Sequence, residues 1–232
     1  VRSEFAPFQR RETSAASQMT SGNTSDNGAF DDEGVLRTWR AMCPNLQEKW
    51  PEAARPEDWE GVTMENGRVV KLVLGGFGLS GGVPTELGQL TSLKVLNLDE
   101  NQLTSVPAEI GQLATLESLD LYGNKLTSVP ADIGQLTSLE ELNLNCNQLT
   151  SVPAEIGQLA ALREVYLAGN QLTSVPAEIG QLTALTGLWL GDNQLTSLPA
   201  EIGQLTSLKE LNLSYNQLTS LPAEIGQLTS LK

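Results

Sequence analysis

Three groups of side chains in this sequence have residue types and spacings that could carry chemistry. The run Gly76-Phe77-Gly78-Leu79-Ser80-Gly81 spells G-x-G-x-x-G after a strand-like stretch, with an acid roughly twenty residues on. That pattern is the phosphate-cradling turn of a dinucleotide site, which requires a helix to open at the last glycine. Pro84 and a repeat register follow instead, so no cofactor is expected. Glu140, Glu141 and Glu164 are clustered carboxylates of the kind used for proton transfer or for Ca²⁺. Open sheet positions give no burial to shift a pKa and no looped oxygen cage, so neither role is expected. Cys43 and Cys146 lie too far apart in the repeat order to be bridged without distortion, and no metal spacing is present. The chain has no His, which removes the usual imidazole base and zinc ligand. No catalytic residue and no metal ligand is assigned, and an enzyme is not expected.

What remains is recognition, and a 23-residue period positions it. Asn101, Asn124, Asn147, Asn170, Asn193 and Asn216 fall in register within the frame L-x-x-L-x-L-x-x-N-x-L-T-S-V/L-P-A-E/D-I-G-Q-L-x-x. Such a period specifies a solenoid, in which no unit folds alone and neighbours stack into one continuous core. In each unit the L-x-L triplet predicts a short strand with both leucines inward and the intervening residue outward. Seven parallel strands on ~4.8 Å spacing make a face roughly 30 Å long. Each Asn is expected to turn inward and bond backbone groups of adjacent turns, so the Asn residues are structural. The A-E-I-G-Q-L segment after each Pro returns as a short helical or 3₁₀ turn.

The outward positions of the strands vary freely between units while the L-T-S to G-Q-L stretch barely changes. The residues between the strand leucines are Val73, Asn97, Asp120, Asn143, Tyr166, Trp189 and Asn212, and flanking positions add Asp99, Tyr122, Glu141, Glu164, Asp192, Glu210 and Tyr215. Tyr122, Tyr166, Trp189 and Tyr215 are expected to share one concave sheet ringed by carboxylates. Aromatic side chains that packing does not require are the material of binding hot spots. The expected binding residues are therefore Asp99, Asp120, Tyr122, Glu141, Asn143, Glu164, Tyr166, Trp189, Asp192, Glu210 and Tyr215.

Charge narrows the partner. The net charge is −14, with one acid after each repeat Pro (Glu86, Glu109, Asp132, Glu155, Glu178, Glu201, Glu224). An acidic array repels nucleic acid and anionic lipid and favours another protein with a basic or neutral surface. No apolar run reaches the length of a transmembrane segment.

Along the chain, residues 1–33 read as a flexible polar arm whose apolar cluster offers Phe5 and Phe8 as contacts. Residues 34–68 read as an N-terminal cap, opening with a Gly34–Met42 amphipathic helix that sets Leu36, Trp39 and Met42 on one side. Trp50 and Trp59 add bulk to this lid, and Asn66-Gly67 signals a hairpin turn. An irregular first repeat covers 69–92 and six regular ones cover 93–230, with the opening of a further unit at Leu231-Lys232. The sequence offers no C-terminal cap, so continuation of the natural chain or a partner over that end is expected. The triplets Asn23-Thr24-Ser25 and Asn212-Leu213-Ser214 match the glycosylation pattern, which matters only in a secretory setting.

The recurring L-x-x-L-x-L-x-x-N-x-L motif resembles the leucine-rich repeat family from about residue 34 to 232. Its continuation is similar to the L-P-x-x-I subtype of intracellular scaffold proteins. The first unit (Leu79-Ser80-Gly81-Gly82-Val83-Pro84) and the cap residues Asp58-Trp59-Glu60-Gly61-Val62-Thr63 instead resemble plant receptors. The resemblance implies an α/β repeat solenoid: a curved, right-handed coil with a parallel concave β-sheet and short helical or 3₁₀ turns on the convex side. The cap of those receptors carries paired cysteines that are missing here, so a reduced intracellular or organellar compartment is favoured over secretion. The expected function is a non-catalytic protein–protein interaction scaffold gripping its partner on the concave face. Two alternatives stand beside it. One is a structural subunit of a larger multiprotein assembly, held by the arm and the open C-terminal end. The other is a receptor-like sensor of a peptide or glycan.

Overall fold

A computed structural model describes residues 31–232. Phe5 and Phe8 lie outside the described residues. The first helix, α1 (Asp32–Met42), begins two residues before Gly34 because the Asp31 carboxylate caps it, accepting from the Gly34 N–H at 2.7 Å. Leu36 and Trp39 are buried, but Met42 is 58% exposed. The helix stops there because Pro44 holds Cys43 in an extended conformation, which leaves Met42 at the helix end rather than on its buried side. A second short helix, α2 (Pro44–Lys49), and a 3₁₀ turn (Pro56–Asp58) bring Trp50 and Trp59 into a buried parallel stack with centroids 4.9 Å apart.

The hairpin β1 (Val62–Glu65) and β2 (Arg68–Val73) turns on Asn66 and Gly67, both at positive φ, and starts the main sheet. Asp32 ties the cap to it. Its buried carboxylate accepts from the Val69 N–H at 2.7 Å and from the Arg68 guanidinium at 3.0 Å. Next come β4 (Val95–Asn97), β6 (Ser118–Asp120), β7 (Glu141–Asn143), β8 (Glu164–Tyr166), β9 (Gly187–Trp189) and β10 (Glu210–Asn212). Each adds in parallel with the middle residues aligned: Leu72, Leu96, Leu119, Leu142, Val165, Leu188 and Leu211. Two further short strands, β3 (Ser80–Gly82) and β5 (Gln102–Ser105), pair beside the first units only. Gly81 therefore enters a strand rather than a helix, which removes the dinucleotide reading.

Opposite the sheet, every unit makes a five-residue 3₁₀ turn after its Pro, for example Ala154–Gln158. Successive turns approach so closely that a Cβ on Gly88, Gly111, Gly134, Gly157, Gly180 or Gly203 would run into the next unit's acidic residue, at its backbone carbonyl and its Cβ. Backbone cannot yield as a flexible side chain does. Gly157→Ala is expected to cost about 1–3 kcal/mol by overpacking. An unchanged urea midpoint for that variant would contradict the packing described. Between sheet and turns runs one core of Leu, Val and Ile from Val35 to Leu228.

Candidate functional site

The concave face rests on a ladder of asparagines. Each ladder Asn accepts from a backbone N–H of the preceding unit and donates back to carbonyls of two units. Asn147 takes the Leu126 N–H at 3.0 Å and gives to the carbonyls of Leu121 (2.9 Å), Leu144 (3.2 Å) and Asn145 (3.2 Å). Asn101, Asn124, Asn170 and Asn193 repeat the pattern and are buried; Asn216 repeats it half-buried. This satisfies backbone groups that the core would otherwise strand.

A second polar column lies on the outward positions, and the sequence did not reveal its role. Asn97, Asp120, Asn143 and Asn212 each turn a side-chain oxygen onto the backbone N–H two residues on, at 3.3, 2.9, 3.1 and 2.9 Å. These are Asx turns that end β4, β6, β7 and β10. Tyr166 has no such oxygen, and the Ala168 N–H is taken instead by Asn145 of the preceding unit at 2.7 Å. Asp120 and Asn143 are 2% and 4% exposed, so they shape the backbone and offer a partner almost no surface. The signal was in the sequence as L-N-L or L-D-L, where a short acceptor follows the first strand leucine.

Burial also changes Asp120 electrostatically. Desolvation pushes its carboxyl up to about 7; the Tyr122 N–H opposes this and the neighbouring Asp99 adds to it. The expectation that sheet positions leave carboxylates unperturbed fails here, because flanking units close over the side chain. Asp99 itself is half-buried.

The four aromatics do not form one cluster. The strands are three residues long, so strict alternation stops before Tyr122 and Tyr215. Tyr122 lies beside Cys146; burial raises the pKa of both the phenol and the thiol. Tyr215, 73% exposed, sits with Glu100, Cys146 and Asp192 at the left-handed position before each ladder Asn. Asp192 is likewise exposed and off the sheet.

Tyr166 and Trp189 do meet. They are paired across β8 and β9, with ring centroids 4.2 Å apart and planes within 8°. Burial raises the Tyr166 phenol pKa, and Glu164, Glu141 and Glu210 add to the rise. Alongside the rings, the register places Glu141, Glu164, Gly187 and Glu210 in one outward column. Glu141 and Glu164 are half-buried and Glu210 is exposed. Of the Glu164 carboxylate, Oε1 accepts from the Thr186 hydroxyl at 2.6 Å, while Oε2 is buried without a partner. Among the described residues no group of three or more His, Cys, Asp or Glu gathers to hold a metal ion. Both cysteines are free, and no described helix is long and apolar enough to cross a membrane.

Comparison with known proteins supplies the setting. Phytosulfokine receptor 2 of Arabidopsis thaliana is 40% identical over 78 residues, which make up 31% of this chain and 8% of that protein. The ectodomain of the Arabidopsis receptor kinase HAESA, solved with a N-terminal extended IDA peptide hormone ligand, is 31% identical with a TM-score of 0.74. That match covers 86% of this chain and 36% of the ectodomain chain. An LRR protein of Leptospira interrogans is 49% identical with a TM-score of 0.62, over 65% of this chain and 38% of that one. This chain thus spans well under half the length of each. Receptors and receptor-kinase ectodomains overturn the reduced intracellular or organellar compartment expected from the cap. That expectation rested on the missing cysteine pair, and a free thiol records only that no bridge forms there. The matching fold is that of an interaction module, and no enzyme family is indicated. The model of the leucine-rich repeat region matches residues 68–185 and 153–232, so this chain belongs to the leucine-rich repeat family.

Proposed function

We propose that this chain is the recognition segment of a receptor-like protein, and that its concave face binds an extended peptide. The observation that carries the reading is the Tyr166–Trp189 stack, which stands on a parallel sheet beside Glu141, Glu164 and Glu210. A rigid aromatic pair supplies contact area at low entropic cost, and the acids select a neutral or basic ligand. The HAESA ectodomain, similar over most of this chain, was solved with a peptide hormone, which favours a sensor over a general scaffold. The assembly reading leaned partly on Phe5 and Phe8 and gains no support from the described residues.

The test is selection from a displayed library of extended peptides, followed by calorimetry with wild type and Trp189→Ala. Truncating a central aromatic anchor is expected to weaken binding roughly tenfold to a hundredfold. Selected peptides that bind the variant undiminished, and that cross-link to the convex turns, would sink the proposal.

A further inference from the structure

We propose that Glu164, Gly187, Trp189 and Glu210 form a subsite for a single arginine side chain of the ligand. The inference rests on the peptide-binding reading above and names the chemistry of its central contact.

Four observations converge on Gly187. Its register partners are Glu164 on one side and Glu210 on the other, so a gap in the side-chain column is flanked by two carboxylates. With parallel strands ~4.8 Å apart, those two residues stand about 10 Å from each other, room for one planar cation between them. The gap is not empty in the free protein. The space a Cβ would take at Gly187 is filled by the edge of the Trp189 six-membered ring together with Glu164 Oε2. That oxygen is buried without a donor, whereas its sister oxygen has the Thr186 hydroxyl.

A buried carboxylate oxygen without a donor is an expensive feature that a ligand N–H would relieve. The indole stacks on Tyr166 with one face and rests its edge over the Gly187 backbone. A guanidinium entering over Gly187 lifts the ring edge off the floor, donates to Glu164 Oε2, and packs its plane against the aromatic wall. Arginine fits this better than lysine: its fork supplies N–H groups toward both Glu164 and Glu210 while its face stacks on the indole. The pair that looks like an apolar anchor therefore also covers an anionic socket.

The probe is a single blocked residue, Nα-acetyl-arginine methylamide, titrated into the whole chain while the Trp189 indole N–H resonance is followed by NMR. The control is the blocked citrulline, which keeps the shape and loses the charge. A saturable shift with arginine that is at least about tenfold weaker with citrulline, and about tenfold weaker again in Glu164→Gln, is expected. Glu164→Gln keeps the shape of the site, and an unchanged thermal midpoint confirms that it folds. Equal responses to the two probes, or to wild type and variant, overturn the subsite even if library peptides bind. A positive arginine response with no peptide selected from the library would instead count against the peptide-receptor reading alone.

Discussion

Asn147→Ala is expected to destabilise the molecule by roughly 1–3 kcal/mol, as are the equivalent truncations of its buried ladder neighbours Asn124 and Asn170. Removal of the amide leaves the Leu126 N–H without its acceptor across the unit boundary, while the Leu121 carbonyl keeps the Asn124 amide at 3.1 Å. A buried backbone donor so stranded costs about 1–3 kcal/mol. Because stability in a solenoid is a sum of unit and interface terms, the damage falls on the junction and can uncouple the two halves. Urea unfolding should then show a lower midpoint and, if the halves separate, a broadened transition. Asn216→Ala provides the internal comparison, since Asn216 makes the same bonds half-exposed and should cost less. Equal losses at the two positions would mean that burial does not set the value of the ladder.

The second large effect has the opposite sign. Asp120→Asn should stabilise the protein at pH 8 by about 2 kcal/mol. Burial pushes the wild-type carboxyl up to about 7 in the folded state from an ordinary 3.8, so the folded state holds its proton more tightly. Between about pH 4 and 7 the folded state binds more protons than the unfolded one, and stability falls as pH rises through that window. Above it the loss is complete and flat, on the order of 4 kcal/mol as an upper bound. Asn keeps the oxygen that accepts from the Tyr122 N–H and drops the charge facing Asp99. It forfeits the long 3.3 Å bond from Asn97, which offsets part of the gain. Asn97, Asn143 and Asn212 already fill the equivalent position in other units. Urea midpoints at pH 5 and pH 8 decide the matter: the variant should lose the downward slope between them. A variant no more stable than wild type at pH 8 would show that the site relaxes and hydrates the charge.

The sequence announced the scaffold because a stacked core demands the same residue at the same place in every unit. Leu142 and Leu188 have no freedom to differ in kind, and neither has Asn147. The face was harder to read, since an outward Asn looks like a surface residue whether or not it is one. Asn143 faces outward and is buried all the same, because its side chain folds back onto the Asn145 N–H. Tyr215 was misplaced for a different reason: extrapolating strand alternation beyond Asn212 ignores the left-handed residue that follows. The contribution of Gly187 was invisible, because a missing side chain gives no signal until its neighbours are seen leaning into the gap.

The asparagine ladder reaches only from one unit to the next, and this sets what heredity can do with the molecule. Excising a complete 23-residue cassette brings an identical amide to an identical carbonyl, so such a deletion heals its own seam. Duplication does the same, and the array can lengthen or shorten by whole cassettes with the ladder intact at every seam. The aromatic pair enjoys no such tolerance. Tyr166 and Trp189 belong to consecutive cassettes, and loss of either unit separates ring from ring. Lineages are thus free to vary the span of the coil, provided that one particular seam is left uncut.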